Sequence, residues 1–148
     1  MKYSETSVGR IFILRLEHGD RIPDVIETFA AEHHIGSALV HFLGAADLNS
    51  KVVVGPEDGS ALKPRPVVTE LLDTSEAVGV GTLFLNEAGI PKLHLHSAFG
   101  SSKETVAGCT REGVKIWHIG EVIIFELLTM VAQRRIDPQT GFELLELD

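Results

Sequence analysis

Only one stretch of this 148-residue chain carries a helical period, and that scarcity sets the fold class. Ile22, Val25, Ile26, Phe29 and Ala30 recur at i, i+3, i+4, i+7 and i+8, one face of an α-helix. Asp20 is placed to cap its start, and Pro23 falls in the first turn, where a missing N–H costs little. Gly36, after His33, His34 and Ile35, is suited to stop it. The rest reads as short strands between turn residues. Residues 11–16, 38–43 (ended by Gly44), 48–54, 67–72, 78–85, 92–98, 114–119 and 121–130 are the predicted strands. The run 121–130 is nearly all apolar, so it is expected near the sheet's centre. Residues 55–66 hold three prolines and two glycines and read as loop, Asn86 to Gly89 as a turn, and Gly100 to Gly108 as a small polar connection. Asp137-Pro138-Gln139-Thr140-Gly141 is a hairpin turn between arms 134–136 and 142–147. Strands joined by short turns pair antiparallel. The expectation is a single domain over 1–148 of the α+β class, a mainly antiparallel β-sheet with one principal α-helix packed on it.

Composition narrows the function. With 44% hydrophobic residues the chain can bury a core without disulfides, and its one cysteine, Cys109, excludes an internal disulfide framework and suits a reducing compartment. No apolar run approaches the roughly 18–20 residues of a membrane span, and the first ten residues contain no apolar signal core. The expectation is a cytoplasmic protein with no membrane partner. Twenty-one acidic residues against 13 basic ones give a net charge of −8. Nucleic-acid affinity rests on clustered Lys and Arg, and the longest basic run here is Arg134-Arg135. DNA as a partner is therefore disfavoured, although an assembled surface could still gather positive charge.

The chemistry concentrates in Pro91-Lys92-Leu93-His94-Leu95-His96-Ser97-Ala98-Phe99-Gly100. On a strand, alternate side chains share a face, so His94 and His96 point together with Cα atoms about 6.6–6.8 Å apart. Two imidazoles at that spacing can converge on one ion with bonds of about 2.0–2.1 Å, but they need further donors. Cys109, 13 residues after His96, could add a soft thiolate that favours zinc. His118, nine residues further, is another possible donor. Equally, the two histidines could hydrogen-bond to their neighbours, and Cys109 could be a small buried apolar residue. His33 and His34 sit at a helix end, His41 reads as a core or interface histidine, and His18 as a solvated loop residue. Val78-Gly79-Val80-Gly81 opens no helix and marks a bulge or a close backbone approach. Glu70 and Glu121 stand in otherwise apolar strands, where they either face solvent or serve the histidines as a base. There is no Cys-X-X-Cys pair and no Gly-X-Ser-X-Gly elbow.

Several segments, in order, resemble one family. Arg15-Leu16-Glu17-His18-Gly19-Asp20-Arg21-Ile22 resembles an RLE-x-GE-x-I opening, and His94-Leu95-His96-Ser97-Ala98-Phe99-Gly100 resembles an HLHASFG core. Gly108-Cys109-Thr110 stands where a GHL tripeptide usually comes. Glu121-Val122-Ile123-Ile124 resembles AEVVI, and Arg134-Arg135-Ile136-Asp137 with Thr140-Gly141 resembles the closing motif. Over roughly residues 9–147 the chain resembles the plant and prokaryote conserved (PPC) domain. The resemblance implies an antiparallel sheet flanked by helix, a homotrimer, and a metal site that falls by position on His94, His96 and Cys109, with cysteine replacing the usual third histidine. It also carries a DNA-binding designation. In plants the DNA contact lies in a separate AT-hook, and the nearest fragment here, Lys63-Pro64-Arg65-Pro66, lacks the hook's glycine.

Three functions follow as expectations. The first is a trimeric scaffold or regulatory module binding zinc or a similar divalent metal, with weak or no autonomous DNA binding. The second is a zinc-dependent hydrolase using a metal-bound water, with Glu70 or Glu121 as base. The third is DNA binding through an assembled trimer surface.

Overall fold

The computed structural model describes residues 1–128 and 132–147. In chain order these form β1 (Ser7–Glu17), β2 (Arg21–Ile22), α1 (Asp24–Glu32), β3 (Ser37–Ala46), β4 (Lys51–Pro56), β5 (Pro66–Glu70), β6 (Ser75–Leu85), β7 (Pro91–Gly100), β8 (Thr105–Cys109), a 3-10 turn (Thr110–Glu112), β9 (Val114–Leu128), β10 (Ala132–Ile136) and β11 (Glu143–Leu147). The main sheet runs β1-β9-β3-β6-β7-β8-β4-β5, with β2 attached to β9, and β10 and β11 form a separate hairpin. Every strand pair in both sheets is antiparallel. The architecture is α+β and mainly β, with one α-helix among the described residues. No described helix is long and apolar enough to cross a membrane.

The helix forms where its period lies, but its ends are set differently. Ile22 belongs to β2, and Pro23 is the N-cap residue without a side-chain cap bond. Asp20 instead closes the β1–β2 turn, where its carboxylate accepts the Glu17 N–H at 2.8 Å. At the other end His34, not Gly36, takes the left-handed conformation, at φ 55°. The N–H of His34 donates to Ala31 O at 3.2 Å and that of Ile35 to Ala30 O at 2.8 Å, the two bonds of a Schellman stop.

The strands also differ at particular points. Gly44 lies inside β3 rather than ending it, because β3 and β9 approach so closely there that a Cβ would meet Gly120 Cα and Ile119 O at 2.7 Å. The predicted strands 114–119 and 121–130 are one strand, β9, bent by His118 at φ 60°. Thr129 and Met130 of that prediction lie outside the described residues. β9 is interior as expected, paired with β1, β2 and β3. The polar connection after Gly100 contains β8.

One face of the sheet makes the core. Val40 and Phe42 of β3, Ile124 of β9, and Leu95 and Phe99 of β7 are buried together with Ile26 and Ala30 of α1. The opposite face is left apolar and open: Ile13 is 79% exposed, Val78 59% and Val80 54%. His41 lies on this open face, so it is not a core histidine. The register sets Ile13, Ile123, His41, Val80, His96 and Cys109 in one row across six strands.

Candidate metal centre

That row ends at His96 and Cys109. Along β7, Leu93 and Leu95 are buried while His94 and His96 are exposed on the other face, the alternation a strand imposes. β8 returns antiparallel to β7 and sets Cys109 directly across from His96. The chain then tightens into the 3-10 turn, where the Thr110 hydroxyl donates to Leu95 O at 3.2 Å. This brings Arg111 back to the histidines, its Nε donating to Cys109 Sγ at 3.2 Å.

The Nε2 atoms of His94 and His96 are 3.0 Å apart. With Cys109 Sγ they form a group whose donor atoms all lie within 4.8 Å of one another. Bonds of about 2.0–2.1 Å to nitrogen and 2.3 Å to sulfur around a tetrahedral ion put donors about 3.3–3.6 Å apart. The set fits one ion after a displacement of about 1 Å in its widest pair, and two imidazoles with a thiolate are donors that suit zinc. His94 is exposed as a residue, yet loss of water around its ring, then the positive fields of Arg134, His96 and Arg111, push its pKa down from 6.5 to about 4. It is therefore neutral at neutral pH, the form that can ligate. Cys109 is 3% exposed.

The second arginine comes from the closing hairpin. Arg134, 4% exposed, donates from Nε to Lys92 O at 3.3 Å and from Nη2 to Thr82 O and Oγ1 at 3.2 and 3.0 Å, and lies over the Phe84 ring. Burial lowers its pKa, and the charge of Glu143 opposes that shift. Phe142, Glu143 and Leu144 of the same hairpin line a cleft of about 620 Å³ with His94, His96 and Cys109. The sequence singled out neither Arg111 nor Arg134 for this site: Arg134 reaches it through non-local pairing, and Arg111, two residues after Cys109, through the 3-10 turn.

The other candidates lie apart. His118 is on β9, where its N–H donates to His18 Nδ1 at 3.2 Å, so His18 is partnered rather than merely solvated. Glu70 on β5 faces Lys51 at 3.8 Å. Glu121 pairs in register with Arg15 and Leu43. Neither carboxylate lines the cleft, so neither is beside the histidines as a base. His33 stacks on Phe29 with centroids 4.1 Å apart.

Solved structures share this fold. A metal-containing protein from Archaeoglobus fulgidus is 28% identical, with TM-score 0.81 over 97% of this chain and 98% of its own. A plant- and prokaryote-conserved (PPC) protein from Pyrococcus horikoshii is 22% identical, with TM-score 0.84 over 99% and 97%. A third, from Ralstonia eutropha, whose name proposes DNA binding, is 21% identical with TM-score 0.69 over 92% and 90%. No curated protein matches the sequence. The family's model matches residues 3–128, most of the sequence, and the chain belongs to the Plants and Prokaryotes Conserved (PCC) domain family.

Proposed function

We propose that this protein is a homotrimeric metal-binding scaffold in which His94, His96 and Cys109 hold one zinc-like ion. The observation that carries the reading is the convergence of three donor atoms within 4.8 Å. The metal-containing relative from Archaeoglobus fulgidus supports it. Three protein ligands leave a fourth coordination position for a group from outside the chain. The scaffold is preferred to a hydrolase because the two carboxylates expected as base, Glu70 and Glu121, do not line the cleft. The open apolar face of the sheet supports association, because exposed apolar surface of this extent marks interaction sites.

The test is metal content after purification without chelator and with added zinc. The wild type retains one zinc per chain, and His94→Ala and His96→Ala each lose most of it. Cys109→His retains it, because imidazole also ligates zinc, and His118→Ala changes nothing. Stoichiometric zinc in a His94→Ala/His96→Ala double variant would place the metal elsewhere. No zinc in the wild type leaves the histidine pair as a hydrogen-bonded structural feature. At −8 per chain the scaffold binds no duplex DNA by itself at physiological salt. A salt-sensitive mobility shift near ~10⁻⁸ M, within the usual specific range, overturns that part.

A further inference from the structure

Two clefts meet at the candidate ligands. One, about 310 Å³, is polar and lined by Glu27, Lys92, His94, Arg111, Arg134 and Glu143 among others. The other, about 620 Å³, adds an apolar wall of Val53, Pro56, Pro64, Pro66 and Leu144. His94, Arg111 and Glu143 line both. The larger volume lies within the range of about 300–1,000 Å³ usual for small-molecule sites.

The cations at this junction are not equally committed. Lys92 is paired with Glu27 at 3.1 Å. Arg134 spends Nε and Nη2 on Lys92 O and on Thr82. Arg111 spends only Nε, on Cys109 Sγ, and its two terminal nitrogens have no hydrogen bond or ion pair among the described residues. A guanidinium with its terminal nitrogens free is a fork that matches a carboxylate. It stands beside Cys109, and both residues line the cleft that carries the apolar wall.

We propose that this double cleft binds a small carboxylic acid with an apolar body, its carboxylate held by Arg111 beside the metal's open position and its body lying along Val53, Pro56, Pro66 and Leu144. The proposal rests on the metal reading only for that open position. Arg111 supplies charge and direction, and the valine, prolines and leucine reward burial of an aliphatic or aryl chain. Glu143 lines both clefts with the wrong sign for such a ligand, so its charge restrains affinity.

Titration calorimetry with hexanoate, and with hexanamide as its neutral counterpart, tests this on zinc-loaded protein of measured metal content. Hexanoate binds at least tenfold more tightly than hexanamide, Arg111→Met abolishes that preference, and Glu143→Gln tightens hexanoate several-fold. Arg111 is exposed, so its replacement leaves the fold intact for the comparison. Equal binding of acid and amide, no hexanoate binding by zinc-loaded protein, or an acid preference that survives Arg111→Met overturns the proposal. If the protein takes up no zinc, the metal reading fails separately, and the same titration on metal-free protein decides: Arg111-dependent hexanoate binding upholds the carboxylate site, and its absence removes it.

Discussion

Gly81 lies so close beneath β7 that a methyl group on it would run into His94 O and come to 2.6 Å from Leu95 Cα. Gly79 has the same relation to Ser97 Oγ and His96 O. The atoms in the way at Gly81 are backbone, which cannot swing aside as a flexible side chain does. The position of the histidines therefore depends on two missing Cβ atoms on the neighbouring strand. Gly81→Ala is expected to destabilise the fold by about 1–3 kcal/mol, the usual cost of overpacking, and to weaken zinc retention as well. Urea unfolding and metal analysis on the same variant check both effects, and unchanged values would mean that β7 tolerates the displacement. Of the two readings of Val78-Gly79-Val80-Gly81, a bulge or a close backbone approach, the contact matches the second, and the register of β6 runs through it without a shift. What the residues did not reveal was which strand approaches, because pairing partners are chosen by the whole sheet.

Among the elements, α1 is where local signals reach furthest. Its apolar spacing gave the helix, since Ile26 and Ala30 on one face are buried whatever the ends do. Its ends were not legible, because each is set by a competing local bond: Asp20 serves the Glu17 N–H, and His34 adopts a positive φ that sequence reading assigns to glycine. His34→Gly should therefore stabilise the protein by roughly 0.5–1 kcal/mol, the roughly 1–2 kcal/mol that a side chain carries in that conformation less the entropy that a glycine loses on folding. A higher midpoint in thermal unfolding is the expected result, and a lower one would show that the His34 side chain contributes more than its backbone costs. β9 is the opposite case. Gly120, between the predicted strands 114–119 and 121–130, reads locally as a break, but partners on both sides carry the strand through it. The histidine pair on β7 was legible because a period of two is a local property. Cys109 was legible only as a possible third donor 13 residues after His96, and family resemblance assigned it to the site, since its pairing with His96 depends on the β7–β8 return.

At the scale of the molecule, the sheet has one face covered by α1 and one open. Ile13, Val78 and Val80 are more than half exposed on the open side, an arrangement that costs solubility unless it is covered. The proposed trimer covers it, and Val80→Glu is expected to shift sedimentation from trimer to monomer at micromolar concentration by burying a charge in the contact. A wild type that sediments as a monomer would remove the trimer, and a Val80→Glu protein that remains trimeric would move the contact to another face. The two-sided character of the sheet was only partly legible, because alternation reports that two faces exist but not which strands complete each. The same geometry bears on how the molecule opens. β4 joins β8 through a single register pair, Val53 with Cys109, and β5 hangs on β4 beyond it. An ion shared by His96 and Cys109 would rivet β7 to β8 at the residue that meets β4 in register, while the Lys51 N–H bond to Gly113 O at 3.1 Å and the buried Val52 anchor the start of β4. Amide exchange around Val53, where β4 meets Cys109, would then be paced by release of the ion rather than by fraying of the sheet's edge.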